Sequence, residues 1–383
     1  MTFDHPALNR LRDGQWSLER TREYLSGQSH PLIEPGGNGV VTVTFVLDTD
    51  LPGPVRLMEK LSWRPPEQCV LTRVGDTPIH ALTWEMRRDL RFSYGFLVGD
   101  RLMPDPANPP PGTDPRLIGS ICSLPDAPRH EITPGPTCDR LEEVAFPDPV
   151  YGGQRKLWVS TPPGWSATGG PYSFLLEFDG APGFASHGMR DQLAERGLIR
   201  DLVIVSIEQR GNRDHELPAV ATFTDMLADE LVPFLMDRYS LSADPADAGL
   251  SGKSFGGLCA GWSALRRPDV FGAAHMQSPS CWYHPTLNTL ADIVGTDAPV
   301  PTIIADFLEH PRAPIRIFHE CGRFEFGPPM AQIWQTFANR WLCDILTAKG
   351  YPYRYREYPG GHDAAWWTQT WAEGIAALFP PVR

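Results

Sequence analysis

Hydrophobic and polar positions alternate with a period-two component in the first part of the chain, which predicts β-structure there. The β-branched run Val40–Leu47 predicts a strand, and shorter runs over Val55–Trp63, Ala81–Met86 and the aromatic-rich Arg91–Val98 predict three more. Proline and glycine lie in the gaps between these runs. Short strands at this spacing predict an N-terminal β-sandwich of about a hundred residues.

A proline-rich stretch, residues 103–137, follows the last of these strands and includes the segment DPANPPPGTDP. This composition predicts a linker or an extended wrapping segment and not part of a core. We therefore place a domain boundary between roughly 100 and 145. The sequence predicts an N-terminal domain over 1–140, which ends in this segment, and a second domain over 141–383.

Beyond the boundary, strand patterns alternate with helix patterns. Strands are predicted over Lys156–Ser160, Tyr172–Phe178, Leu202–Ile207, Ala248–Leu250, Ile315–His319 and Tyr353–Tyr358. Helices are predicted over Met189–Gly197, Ala221–Asp237, Leu258–Leu265, Gln332–Ala348 and Trp366–Leu378. Alternating strands and helices predict a mostly parallel sheet flanked by helices, which is an α/β fold.

Charge and composition exclude several classes of function. The net charge is −12 and the pI is near 5.4, which is a poor electrostatic match for nucleic acid. No apolar run is long enough to predict a membrane span, and the N-terminus lacks the apolar region of a secretory signal peptide. The seven cysteines are scattered and form no zinc-ligand pair. We expect a cytoplasmic protein with reduced thiols, no metal site and no cofactor.

The sequence GKSFGG at 252–257 follows a short predicted strand and precedes a predicted helix. This context predicts a nucleophile elbow, the tight strand–turn–helix that presents Ser254 at the edge of the sheet. The glycines flank the serine because a Cβ there would collide with neighbouring backbone. A serine hydroxyl is a weak nucleophile and needs a base that a third group orients. The motif therefore predicts a serine hydrolase of the α/β-hydrolase class, whose substrate bond is an ester.

His362 is the predicted general base, because it lies in the sequence PGGHD between the last strand and the last helix. Two glutamates, Glu320 and Glu325, follow the strand at 315–319 and are both candidates for the triad acid. The oxyanion needs two amide donors. We assign one to Phe255, directly after the nucleophile, and the other to Ala181, in the loop after the strand that ends at Phe178.

Four segments together resemble enterochelin (ferric enterobactin) esterases: GLSGKSFGGL, HELP at 215–218, SPSCWYHP at 278–285 and GGHDAAWW at 360–367. The N-terminal half is also similar to that family, through TWEM and FSYGF at 83–96 and Asp105–Pro109. The resemblance implies an α/β-hydrolase behind a β-sandwich, with Ser254, Glu325 and His362 as the triad. Within it, the G-x-x-acid pattern at 322–325 is the reason for preferring Glu325.

The same resemblance implies hydrolysis of the trilactone of a catecholate siderophore such as ferric enterobactin, with iron present only as part of the substrate. Such a ligand is anionic and aromatic, so it needs cations and stacking surfaces. Arg210 and Arg213 are the candidate cations, and Trp282 and Trp366 are the candidate stacking residues. The alternative is an esterase or acyltransferase for another aryl, polysaccharide or natural-product ester, since a fold does not fix a substrate.

Overall fold

A computed structural model describes residues 5–61, 64–110, 118–135, 140–181, 184–286, 299–325 and 332–382, without the side chains of 332–334. The chain forms two compact units. The first comprises Met1–Arg129 together with Pro359–Trp366, and the second comprises His130–Tyr358 together with Trp367–Arg383. The segment that carries His362 therefore packs with the N-terminal part of the chain.

The first unit begins with two short helices and contains two antiparallel sheets. The helices are α1 (Pro6–Arg12) and α2 (Leu18–Ser26), and Ser17 caps the second by accepting a hydrogen bond from the amide of Arg20. One sheet has the order β1-β2-β5-β4 and the other contains β3, β6, β7 and β8. The strands are β1 (Leu32–Pro35), β2 (Val40–Asp48), β3 (Val55–Glu59), β4 (Thr72–Arg73), β5 (Ile79–Arg87), β6 (Arg91–Val98), β7 (Arg101–Met103) and β8 (Ser120–Ser123).

Aromatic side chains join the two sheets of the first unit. The ring of Phe45 on β2 lies 5.1 Å from Tyr94 and 6.4 Å from Phe92, both on β6. These three side chains are fully buried, so the predicted β-sandwich is confirmed. Leucines of α1 and α2 cover the outside of the first sheet and pack on β1, β2 and β5.

The proline-rich stretch is not only a linker, and this part of the prediction was wrong. Its residues Ser120–Ser123 form β8, which pairs with β6 along Arg91–Tyr94. Asp105 of the same stretch is buried and accepts a hydrogen bond of 2.7 Å from the hydroxyl of Tyr94. This strand was not predicted because four residues within a proline-rich stretch give almost no periodic pattern.

The second unit contains one eight-stranded sheet with the order β16-β15-β14-β13-β11-β12-β10-β9. The strands from β12 to β16 in this order run parallel, and β10 and β9 are antiparallel to their neighbours. The strands are β9 (Leu141–Pro147), β10 (Gln154–Ser160), β11 (Ser173–Glu177), β12 (Leu202–Ile207), β13 (Ala248–Lys253), β14 (Ala273–Gln277), β15 (Arg316–Gly322) and β16 (Tyr353–Tyr358).

Helices lie on both faces of this sheet. They are α3 (Ser186–Glu195), α4 (Arg213–Glu216), α5 (Ala221–Met226), α6 (Val232–Tyr239), α7 (Phe255–Arg266), α8 (Thr302–Glu309), α9 (Gln332–Ala348) and α10 (Ala364–Leu378), with a π-helical turn, Leu227–Leu231, between α5 and α6. Alternate residues of each central strand belong to different cores: Leu176 packs with α5 to α8, whereas Leu175 packs with α3 and α10. Among the described residues, no helix is long and apolar enough to cross a membrane.

Candidate active site

Ser254 occupies the sharp turn between β13 and α7. Its backbone has φ 57° and ψ −120°, a strained conformation for a residue other than glycine. The turn is tight, because a Cβ on Gly252 would lie 2.3 Å from the carbonyl carbon of Gly256. Only glycine at 252 permits this approach, so the local sequence folds into the predicted elbow.

One neighbouring strand and one loop hold the elbow in place. The amide of Ser254 donates to the carbonyl of Gln277 on β14, at 3.0 Å, and its carbonyl accepts from the amide of Ser280, at 3.1 Å. The hydroxyl of Ser254 lies 3.3 Å from the hydroxyl of Ser280 and is half-buried. Ser280, in the SPSCWYHP segment, is thus an immediate neighbour of the candidate nucleophile. It was not among the residues predicted from the sequence.

The loop after β11 supplies the second candidate oxyanion donor. Asp179 has a positive φ of 60°, and the amide of Gly180 donates to the carbonyl of Ile207 at 2.7 Å. A Cβ at 180 would lie 2.5 Å from the amide nitrogen of Ile207, so the loop requires glycine there. The Gly180 amide is used in this bond, so the next amide along the loop, that of Ala181, remains the candidate donor. The other assigned donor, Phe255, is the first residue of α7.

A buried ion pair joins the end of β11 to the residue before the nucleophile. Lys253 Nζ lies 2.7 Å from Glu177 Oε1, and the hydroxyl of Ser186 donates to the other oxygen at 2.6 Å. Burial alone would raise the pKa of Glu177, but the charge of Lys253 and the two hydrogen bonds outweigh it and hold that pKa below its usual range. Glu177 is therefore ionised at neutral pH.

A second ion pair crosses the same gap nearer the surface. The guanidinium of Arg213 binds both carboxylate oxygens of Asp179, at 2.6 and 3.0 Å, and also donates to the carbonyl of Lys253 at 3.2 Å. The amide of Asp179 donates to the side-chain oxygen of Gln209. We call these two pairs, Lys253–Glu177 and Arg213–Asp179, the ion-pair brace. It fixes the loop of one candidate oxyanion donor against the elbow that carries the other.

Glu325 lies three residues beyond the end of β15 and is fully buried. Its Oε1 accepts from the hydroxyl of Ser278 at 2.6 Å, from the amide of Gly322 at 2.7 Å and from the hydroxyl of Tyr358 at 3.1 Å. Burial, and then the charges of Glu325 and Glu320, raise the pKa of Tyr358 far above its usual range, so this phenol stays protonated and donates.

Glu320 lies within β15 and has a structural partner. Its carboxylate binds Arg356 of β16 at 2.6 Å and accepts from the side-chain amide of Gln277, also at 2.6 Å. Both partners sit at the same register position on the neighbouring strands. This arrangement gives Glu320 a role in pairing the strands, and it favours Glu325 as the acid.

His362 is half-buried and lies between β16 and α10, in the segment that packs with the first unit. Three other histidines lie in the second unit and are fully buried: His187, His275 and His319. Burial lowers their pKa values to about 4, about 3 and about 4 respectively, so each is neutral and unsuited to act as a general base near pH 7.

Half-buried aromatic side chains flank the nucleophile. The ring of Phe255 lies 6.0 Å from Trp282 and 5.5 Å from Tyr283, and all three are partly exposed. They are suited to contact an aromatic ligand. Trp366 is different, since it is 1% exposed and its indole N–H donates to the carbonyl of Arg91 at 2.7 Å. The stacking role predicted for Trp366 is therefore not supported, because packing and that hydrogen bond already occupy its ring.

The two predicted substrate cations both have partners within the second unit. Arg213 belongs to the ion-pair brace, and Arg210 donates to the carbonyl of Gly152 at 2.5 Å and lies 3.7 Å from Asp148. Asp148 is itself fully buried against Arg155, at 2.7 Å. Neither arginine stands as an unbalanced positive charge, so their predicted contact with an anionic ligand competes with these bonds. Among the described residues, no group of three or more His, Cys, Asp or Glu could hold a metal ion.

The strand order of the second unit, with a serine elbow at the carboxyl end of β13, defines an α/β-hydrolase. Residues 149–378 match the esterase family model described as "Putative esterase". The chain belongs to this esterase family and is a carboxylic ester hydrolase.

Several esterases are similar to this chain, two of those described here over most of its length. It is 25% identical over 343 residues to the iron(III) enterobactin esterase of Escherichia coli K12, with 82% of each chain covered. It is 34% identical over 170 residues to that of Dickeya dadantii, which covers 44% of this chain and 37% of that protein. The ferric enterobactin esterase from Salmonella typhimurium has the same fold, with a TM-score of 0.78, 20% identity, and coverage of 93% of this chain and 98% of that chain. The resemblance to enterochelin esterases is therefore confirmed.

Proposed function

We propose that this esterase hydrolyses the lactone esters of a catecholate siderophore and thereby releases its iron. Ser254 attacks the ester carbonyl, and His362 takes the proton of the hydroxyl and later gives it to the leaving alkoxide. Glu325 orients the imidazole, and the amides of Phe255 and Ala181 bind the oxyanion. Water then hydrolyses the acyl-enzyme by the same route.

The observation that carries the catalytic part is the strained elbow at Ser254, with φ 57° and ψ −120°. A half-buried serine held in that conformation at the start of a helix has no packing role to explain its strain. The positive end of α7 lies beside the hydroxyl, where negative charge develops during acyl transfer. Glu325, with three donors on one oxygen, is fixed firmly enough to serve as an orienting acid.

The substrate class is supported by the aromatic side chains beside the nucleophile and by the similar proteins. Phe255, Trp282 and Tyr283 present partly exposed rings whose centroids lie 5.5 to 6.2 Å apart. Such a surface suits the catechol rings of the ligand. Solved structures with the same fold include the enterobactin esterase from Shigella flexneri in the presence of enterobactin, with a TM-score of 0.76.

One observation favours a second candidate, an esterase for uncharged aryl esters. Arg210 and Arg213 are paired with Asp148 and Asp179, so they add little net positive charge for an anionic ferric complex. A neutral phenolic ester would lack the negative charge that these arginines were predicted to attract. The two candidates share the catalytic residues and differ in the charge of the ligand.

The experiment is a comparison of kcat/KM for a ferric catecholate trilactone, the same trilactone without iron, and a feruloyl ester, with products identified by mass spectrometry. Preference for either trilactone over the feruloyl ester by tenfold or more supports the siderophore proposal. Equal or greater rates on the feruloyl ester would refute it. Ser254→Ala and His362→Ala should abolish activity, whereas Ser263→Ala, a buried serine of α7 bonded to Thr224, serves as the matched control.

A further inference from the structure

The residue after His362 is bound by the N-terminal β-sandwich. The carboxylate of Asp363 is fully buried and accepts from both the amide and the hydroxyl of Ser93, with 2.9 Å to the hydroxyl. It also accepts from the amide of Ala365 at 3.0 Å, which caps the start of α10. Ser93 and Asp363 are 270 positions apart in the chain, yet they belong to the same compact unit.

Glycines allow the His362 segment to lie directly on the sandwich. A Cβ on Gly361 would lie 2.0 Å from the carbonyl oxygen of Lys60, and one on Gly360 would lie 1.9 Å from the indole nitrogen of Trp366. That indole donates to the carbonyl of Arg91, at 2.7 Å. Gly361 is therefore fitted to the backbone at Lys60 and Gly360 to the ring of Trp366, so packing within the first unit accounts for the two glycines before His362.

The strand that receives the segment is the central one of its sheet. β6 pairs with β3, β7 and β8, and Phe92 and Tyr94 point into the sandwich core. Ser93 lies between them in sequence, so its side chain points to the opposite face. A strand bonded on both edges and packed on one face is among the most rigid elements of a domain.

We propose that Ser93 and Asp363 are positioning residues that fix the backbone of His362, so that the β-sandwich holds the catalytic base in place. This inference rests on the proposed role of His362 as general base. A displacement of about 1 Å in a catalytic group can cost about a hundredfold in rate. Since Asp363 adjoins His362, loss of its anchor releases the imidazole without removing any group that contacts the substrate.

Burial of Asp363 is consistent with an anchoring role. Burial raises the pKa of this carboxyl, while the hydrogen bonds from Ala365 and Ser93 lower it less. A raised carboxyl pKa means that the ionised form costs folding free energy at neutral pH. A buried carboxyl that accepts hydrogen bonds from Ser93 and Ala365 is held in one position, and this fixes the backbone beside His362.

The test uses the full chain with Ser93→Ala, Asp363→Asn and Ser120→Ala, assayed on a p-nitrophenyl ester. Ser120 is the matched control: it is a buried serine of the same sandwich, opposite Tyr94 on β8, and its hydroxyl accepts from the amide of Asp105. We expect Ser93→Ala and Asp363→Asn to lower kcat about 10- to 100-fold, with KM within about twofold. Ser120→Ala should keep kcat, and Ser93→Thr, which retains a hydroxyl, should restore most of the loss.

The pH profile separates positioning from general destabilisation. A misplaced imidazole alters the apparent pKa on the acid limb of kcat/KM, whereas partial unfolding lowers the whole profile evenly. Unchanged kcat in both Ser93→Ala and Asp363→Asn, with His362→Ala inactive, refutes the positioning role of Ser93 and Asp363 and leaves the proposed function unaffected. An equal loss in Ser120→Ala also refutes that role. Activity in His362→Ala would instead overturn the proposed function. If Asp363→Asn fails to fold, the result for Ser93→Ala decides the question alone. This variant should fold, because the backbone amide of residue 93 still binds the carboxylate of Asp363.

Discussion

Replacing each of the two candidate acids by its amide separates catalysis from stability. Glu325→Gln and Glu320→Gln change the same few atoms, in fully buried side chains at or near the carboxyl end of one strand. Their partners differ, since Glu325 binds three neutral donors and Glu320 binds the cation Arg356. We expect the first variant to lose activity and the second to lose stability.

The loss in Glu325→Gln follows from hydrogen-bond polarity. The amide oxygen of glutamine can keep the three donors that Oε1 now accepts, from Ser278, Gly322 and Tyr358. Its N–H₂ group then replaces the remaining acceptor with a donor, which cannot bind an imidazole N–H. An unoriented base with the wrong tautomer costs about 10²- to 10⁴-fold in kcat, or about 3–5 kcal/mol of transition-state stabilisation. The fold keeps its contacts, so Tm should change little.

The loss in Glu320→Gln is a loss of ion pairing. Arg356 retains a second partner, Glu373, and its side chain is 27% exposed, so part of its charge stays solvated. We therefore expect about 1–3 kcal/mol of destabilisation, less than for a fully buried pair. For a unit of this size that corresponds to a fall in Tm of about 5 °C. Activity per folded molecule should stay within about threefold.

Both variants are assayed for kcat on one ester and for Tm by differential scanning calorimetry. We expect opposite results, with kcat lowered in Glu325→Gln and Tm lowered in Glu320→Gln. If Glu320→Gln lost the greater part of kcat at unchanged Tm, Glu320 would be the acid. If neither variant lost more than about tenfold, catalysis would depend on Ser254 and His362 alone.

Three further predictions concern the surroundings of Ser254. Lys253→Met removes one of the two pairs of the ion-pair brace and leaves Glu177 without its cation, so it should lower kcat about tenfold or more through a displaced oxyanion loop. The double variant Lys253→Met with Glu177→Gln should recover part of that loss in kcat in a double-mutant cycle. Additive losses would contradict the coupling. Because the pKa of Glu177 is lowered in the folded state, its contribution to stability is present above the usual carboxyl pKa and is lost as pH falls through the lowered value. The free energy of unfolding should therefore fall more steeply with decreasing pH in the wild type than in Glu177→Gln, and curves of equal slope would contradict a contribution from the ion pair. Trp282→Ala and Tyr283→Ala should each raise KM for an aryl ester about three- to tenfold and leave KM for an acetyl ester of an aliphatic alcohol nearly unchanged. Equal changes in KM for the two esters would show a packing role instead.

The sequence predicted elements whose side-chain pattern was regular and missed those whose pattern was not. The bounds of β6, β12, β16 and α9 agree with the prediction, because each is a continuous apolar, aromatic or amphipathic run. β14, with the sequence AAHMQ, was missed although it lies in the middle of the sheet. Its two polar residues are buried by specific partners, such as Ser251 for His275, and such partners leave no local signal.

The candidate site was predictable in its local part. Ser254 lies at a turn whose geometry its own neighbours dictate, so a motif of six residues was sufficient. The arginines were not predictable in the same way. Arg213 finds its carboxylate 34 positions earlier in the chain, and nothing near position 213 distinguishes a cation that binds Asp179 from one that binds a ligand. Long-range pairing of this kind depends on the topology of the sheet, which brings the ends of β11 and β13 side by side.

The pairing of the arginines changes the expected response to salt. With Arg210 and Arg213 bound to carboxylates and a net charge of −12, the protein should repel an anionic ferric complex more than it attracts it. Raising the ionic strength from 0.01 M to 0.15 M shortens the screening length from about 30 Å to about 8 Å, which weakens that repulsion. We therefore expect kcat/KM for the ferric trilactone to rise a few-fold over this range, while the value for a neutral aryl ester stays nearly constant. A fall in kcat/KM for the ferric complex alone would refute this expectation and would mean that cations near the site attract the substrate.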